Sequence, residues 1–262
     1  MIKSMHRTHT PAQSGPAGSR LLTLLMQLDR KAARASHGDF AERLGRLFDL
    51  SDAIALDGAN QYRPKGPFDA RPDASERLQA DLLKTRDTLL AHLSRSFAGE
   101  KAASVIPLPP LRDDAPADKR PTFGAYERFY QAHQRQMIAG LSNLRQRARR
   151  LLIGHSEAMA RLAELDAVFE QSMAGYVRHC FGALPGFLEK RYRTLWDTRD
   201  PFHSAQDWLA PQGWLSQFRR ELQMLLLAEL DARQEPILGL LDALATDATG
   251  NQSINNEVSK TV

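Results

Sequence analysis

The chain has 262 residues, enough to bury a real core as one domain or two. Its 35 Lys and Arg against 31 Asp and Glu leave a formal charge of +4, with 42% hydrophobic and 25% charged residues, which excludes a chain too polar to fold. No run approaches the roughly 20 apolar residues of a membrane span, and the single cysteine, Cys180, excludes an intrachain disulfide.

Residues 1–18 carry Pro11, Gly15, Pro16 and Gly18 among polar and basic residues and predict a disordered tail without a signal-peptide core. Ser19 is placed to cap a helix with Leu21, Leu24, Leu25 and Leu28 on one face. After Gly38 and Asp39, a second helix turns Phe40, Leu44, Leu47 and Phe48 inward. Ser51 is expected to cap a short third helix carrying Ile54. Glycine and proline make residues 58–73 a loop, and a helix over 74–97 presents Leu78, Leu82, Leu89 and Leu93. Residues 19–97 therefore predict an N-terminal helical module. Prolines 107, 109, 110, 116 and 121 make residues 98–121 an extended linker.

Residues 122–246 predict a C-terminal helical bundle. Its first helix has Phe123, Tyr126, Tyr130, His133, Met137, Leu141, Leu144, Ala148 and Leu151 on one seam, in steps of three and four. Gly154 ends this helix and Ser156 caps the next, which turns Met159, Leu162, Leu165, Phe169, Met173 and Val177 inward. A turn this short predicts an antiparallel helical hairpin. Gly182 and Pro185 break the chain before a shorter helix with Phe187, Leu188, Tyr192 and Leu195. Residues 198–213 read as irregular. A last helix starts at Trp214, and Pro236 kinks or restarts it while Ile237, Leu240, Leu241 and Leu244 extend the seam. Residues 247–262 read as a disordered polar tail. The fold class is all-α, and the heptad-like seams leave room for a homo-oligomer.

A search for chemistry returns little. The eight histidines form no HExxH pattern, and no phosphate-binding loop, GxGxxG or GxSxG is present. No catalytic residue, metal ligand or cofactor is assigned. His179 and Cys180 are neighbours on a helix and point about 100° apart, so Cys180 reads as a small buried hydrophobe. His133 reads as a core histidine. Trp208, Trp214 and Phe202 read as a plug at one end of the bundle, with a partner hot spot as the alternative.

Charge is the stronger signal. Between Lys119 and Arg150 eight basic residues face one acid, Glu127, a net of +7. With Leu144 as the origin at about 100° per residue, Arg128, Arg135, Arg149 and Arg150 fall opposite the seam, while Arg145 and Arg147 flank it. These six are the candidate binding residues. An arginine stripe suits a phosphate backbone or an acidic protein. The plain alternatives are a solvated face, or pairing with Glu157, Glu164, Asp166 and Glu170 on the next helix.

The strings FAERLGRLFDLSDAIALDGA (40–59), ARLAELDAVFEQ (160–171), LEKRYRTL (188–195) and LLLAELDARQEPILGLLDAL (225–244) resemble an uncharacterised bacterial domain-of-unknown-function family. The resemblance runs from Ser19 to Leu244 and transfers no functional residue. It implies genes beside proton channels of the MotA/TolQ/ExbB type, as in the accessory part of the third type of Zorya antiphage system. The expectation is a cytoplasmic, non-enzymatic accessory or effector protein of a proton-driven motor. Its partners would be proteins encoded nearby, and DNA or RNA through the basic face. A stand-alone nucleic-acid-binding protein without sequence readout is the alternative, and an enzyme with an unrecognised site is a third reading.

Overall fold

The computed structural model describes residues 20–28, 49–98, 106–111, 119–200 and 207–258, the last eleven as backbone only. The expected helix over 40–48, the Ser19 cap and Phe202 lie outside the described residues. The described residues form helices α1 (Arg20–Leu28), α2 (Leu50–Gln61), α3 (Ala74–Phe97), α4 (Gly124–His155), α5 (Glu157–Gly182), α6 (Leu184–Asp197) and α7 (Trp214–Val258). They contain no strand, and the fold is an all-α bundle.

Local signals account for most helix ends. Ser156 stands alone between α4 and α5, and its hydroxyl accepts from the Met159 amide at 3.2 Å, the expected cap. α2 begins two residues earlier than Ser51 suggests. Its cap is Asp49, in a reciprocal box with Asp52, because a carboxylate there accepts the Asp52 amide at 2.8 Å while Asp52 takes the Asp49 amide. Hydrogen bonds, led by one from Ser172 of α5, also hold the Asp52 carboxyl below its ordinary range. Pro185 sits in the first turn of α6, where a missing N–H costs nothing.

α4 is the axis of the fold. It packs against α3, α5, α6 and α7, and Tyr130, Leu144, Ala148 and Leu152 on its seam are fully buried. Each buried leucine of this kind stabilises the fold by about 1.5–3 kcal/mol. α7 supplies the opposing wall through Phe218, Leu222, Leu225 and Leu226. The core is continuous from Leu21 of α1 to Leu244 of α7, and Ile106, Leu108 and Leu111 of the proline segment pack against it. Arg219 fastens that segment, donating to the Pro109 carbonyl at 2.7 Å and to the Tyr126 hydroxyl at 3.1 Å.

Of the two expected outcomes at Pro236, a kink or a restart, the restart does not occur: α7 runs through it. A proline inside a helix costs about 3 kcal/mol or more. Here Leu226, Leu230, Ile237, Leu240 and Leu244 keep helical phase across it and are buried on both sides, which offsets that cost.

Trp196, Trp208 and Trp214 meet edge to face with centroids 5.3–5.7 Å apart, and all three are buried, as a plug requires. Gly213 admits the approach: a Cβ there would lie 2.2 Å from the Trp208 carbonyl oxygen. In α5 the expected burial holds for Met159 and fails farther along. Phe169 and Val177 are about two-fifths exposed, and Cys180 is exposed rather than buried. The distal half of α5 borders an open cavity, and Phe169, Met173 and Val177 of its seam line that space.

Candidate functional site

The six arginines of α4 divide into three kinds. Arg145 and Arg149 are turned to α5, where Asp166 and Glu170 stand one turn apart. Arg145 grips Asp166 with both Nε and Nη2, at 2.9 and 2.5 Å, and its Nη1 lies 3.3 Å from Glu170. Arg149 donates Nε to Asp166 at 2.7 Å and Nη2 to Glu170 at 2.6 Å. Only 10–15% of the Arg145, Arg149 and Asp166 side chains is exposed. Burial acts to lower the Arg149 pKa, but the hydrogen bonds to Asp166 and Glu170 outweigh it and raise it above its ordinary value.

Arg147 points to α3 and meets Asp81 at 3.3 Å, a half-exposed pair. Arg128, Arg135 and Arg150 are exposed and make no ion pair or hydrogen bond among the described residues. Arg149 therefore leaves the group that angular reading gave it. The buried arc of α4 is centred about 30° from Leu144 toward Arg149, so a long side chain there still reaches α5.

The remaining three form a stripe. Arg128 and Arg135 are seven residues apart, about 10 Å, and Arg135 and Arg150 fifteen, about 22 Å. Exposed Ser142, Asn143 and Gln146 lie between the latter two, and the arc holds no acid. It presents three fixed cations with hydrogen-bonding groups between them, which suits an acidic surface and performs no bond chemistry by itself.

A second polar centre lies inside the bundle. Glu229 of α7 is wholly buried. It accepts from the Tyr130 hydroxyl at 2.6 Å, from Gln134 at 3.0 and 3.1 Å, and from Arg233 Nε at 2.8 Å. Burial, and then the Glu229 charge, push the Tyr130 hydroxyl well above its usual range, so it stays a donor. Gln134 also donates to the Phe181 carbonyl at 3.0 Å, and Arg233 lies 3.8 Å over the Phe181 ring. The cluster ties α4, α5 and α7 together and leaves no charge on Glu229 uncompensated. Its sequence signal was readable: Glu229 sits at a seam position, four after Leu225 and three after Leu226.

Beside this cluster a cavity of about 440 Å³ opens between α4, α5 and α7. Leu141, Met173, Val177 and Ile237 line it, and Gln134 and Arg233 form its polar end. His133, buried against α3, has its pKa lowered to about 4 by burial and by nearby His92, so it is neutral, as a core histidine should be. Among the described residues no group of three or more His, Cys, Asp or Glu is placed to hold a metal ion, and no helix is long and apolar enough to cross a membrane.

Residues 7–246 match the family described as protein of unknown function (DUF3348), and the chain belongs to that family. No curated protein and no solved structure matches it.

Proposed function

We propose that this family member is a non-enzymatic accessory protein that docks an acidic macromolecular surface on Arg128, Arg135 and Arg150. The single observation that carries this reading is the division of the α4 arginines. Arg145, Arg147 and Arg149 are matched by acids of the same chain, while the other three stay exposed on one acid-free arc. Three guanidinium groups with no ion pair among the described residues, carried on one helix, form an anion-binding surface whose backbone is already ordered. The sequence resemblance supports a setting: a cytoplasmic role beside a proton-driven motor complex in phage defence, with a neighbour-encoded protein as partner.

A second reading, sequence-independent nucleic-acid binding, is favoured by one feature. Ser142, Asn143 and Gln146 supply hydrogen-bond donors between Arg135 and Arg150, as contacts to phosphate and sugar require. The two readings separate in one experiment. The full chain is tested at about 50 mM salt for retention of a duplex DNA or RNA probe, and for co-purification with neighbour-encoded proteins. Three phosphate contacts would weaken DNA binding about 40-fold between 50 and 200 mM salt. Reversing all three arginines to Glu abolishes binding to the true partner in either case. Binding to a partner protein that survives the triple reversal sinks the docking reading.

A further inference from the structure

We propose that the cavity between α4, α5 and α7 is a binding site for a small amphipathic carboxylate. Its apolar body would lie against Leu141, Met173, Val177 and Ile237, and its carboxylate would pair with Arg178 and Arg233. This uses none of Arg128, Arg135 or Arg150, so it stands apart from the docking surface.

The volume of about 440 Å³ falls within the range of small-molecule sites, and the lining follows their pattern of apolar walls with few polar groups. The lip is apolar as well: Ile138 is 46% and Val177 38% exposed, and both line the opening. Large hydrophobic side chains gathered at one concavity mark a contact surface more than scattered ones do.

Charge selects the ligand. Around the cavity stand Arg145, Arg149, Arg178 and Arg233 against Asp166, Glu170 and Glu229, four cations to three anions, a local balance of +1. The surplus is Arg178, which lines the cavity and has no ion pair among the described residues. Arg233 commits Nε and Nη2 to Glu229 and leaves Nη1 without a partner among the described residues. Gln134 donates only through its Nε2, so its Oε1 remains an acceptor at the same end. Pro236, also in the lining, has no N–H to give the Ala232 carbonyl, which leaves a further acceptor beside the cavity. One uncompensated positive charge and an apolar wall fit a monoanion with an alkyl or aryl body, and disfavour a cation or a polyanion.

The test is calorimetric titration of the full chain with sodium dodecanoate, dodecanol and dodecylammonium. The expected result is saturable binding of one dodecanoate per chain at or below about 1 mM, since about 14 heavy atoms at about 0.3 kcal/mol each give that affinity. Arg178→Glu should weaken it about tenfold, the effect of reversing one partly solvated charge. Met173→Trp, which fills the cavity, should abolish it while circular dichroism and Tm stay near wild type. If Met173→Trp unfolds the protein, Val177→Phe takes its place. Three results overturn the proposal: no dodecanoate binding to the folded wild type, equal binding of dodecylammonium or dodecanol, or dodecanoate binding that survives a folded cavity-filling variant.

Discussion

Arg145 and Arg149 share a helix, a residue type and a charge with Arg128, Arg135 and Arg150, yet they do opposite work. The first pair is held by Asp166 and Glu170 with little exposure, and acts as structure. The second set faces solvent and makes no ion pair among the described residues. What separates them is not the number of arginines but which neighbour lies across the groove. Of the eight basic residues in the +7 run, six lie on α4, and three of those, Arg145, Arg147 and Arg149, are matched by acids, which leaves three α4 arginines without an ion pair among the described residues. Net charge over a segment thus overstates the surface a partner meets.

Substitutions can break or sharpen that contrast. The largest effect is expected for Asp166→Ala, which strips both buried arginines of their shared partner and leaves them Glu170 alone. Removing one side of a buried pair costs about 3–5 kcal/mol, and the low end applies here because Glu170 remains. Urea unfolding should show that loss.

A third face of the same helix gives a pH-dependent effect of about 3 kcal/mol. His133 titrates at about 4 in the folded protein against about 6.5 in an unfolded chain. The unfolded chain then binds more protons between those values. Stability should be full above pH 6.5 and fall as pH drops toward 4. His133→Leu should flatten that part of the curve in unfolding titrations run across the window.

Smaller still is Arg147→Ala. Its pair with Asp81 is half exposed, and a double-mutant cycle should return a coupling of about 0.2–1 kcal/mol. Arg128→Ala, Arg135→Ala and Arg150→Ala should each change unfolding stability by no more than about 0.5 kcal/mol, because they are exposed and pair with none of the described residues. A loss above 2 kcal/mol in any of the three would place it among the structural arginines and erase the contrast.

The helices, the seam of α4, the Ser156 cap and the candidate acids Asp166 and Glu170 were legible because each rests on spacing within one or two turns. What failed depends on the third dimension. Phe169 and Val177 sit at positions a two-helix reading buries, but α5 borders a cavity there, and periodicity does not register how far apart two helices stand; Cys180, three residues on, is exposed as well. Arg149 was misplaced because a single seam residue served as origin while four neighbouring helices set the true buried arc. At Pro236 local propensity allows a kink or a restart, and the helix does not restart there, its seam being buried on both sides. The exposed arginine stripe was visible in outline. Which arginines compose it required knowing where their possible partners lie.

The most direct measurement compares two triple variants of the full chain on one acidic target, a neighbour-encoded protein or a nucleic acid probe retained by the wild type. With Arg128, Arg135 and Arg150 changed to Glu, binding should vanish while Tm stays near wild type. With Arg145, Arg147 and Arg149 changed to Gln, Tm should fall while the folded fraction still binds. Retained binding in the first variant, or lost binding in the folded fraction of the second, would contradict the division of α4 into structural and docking arginines.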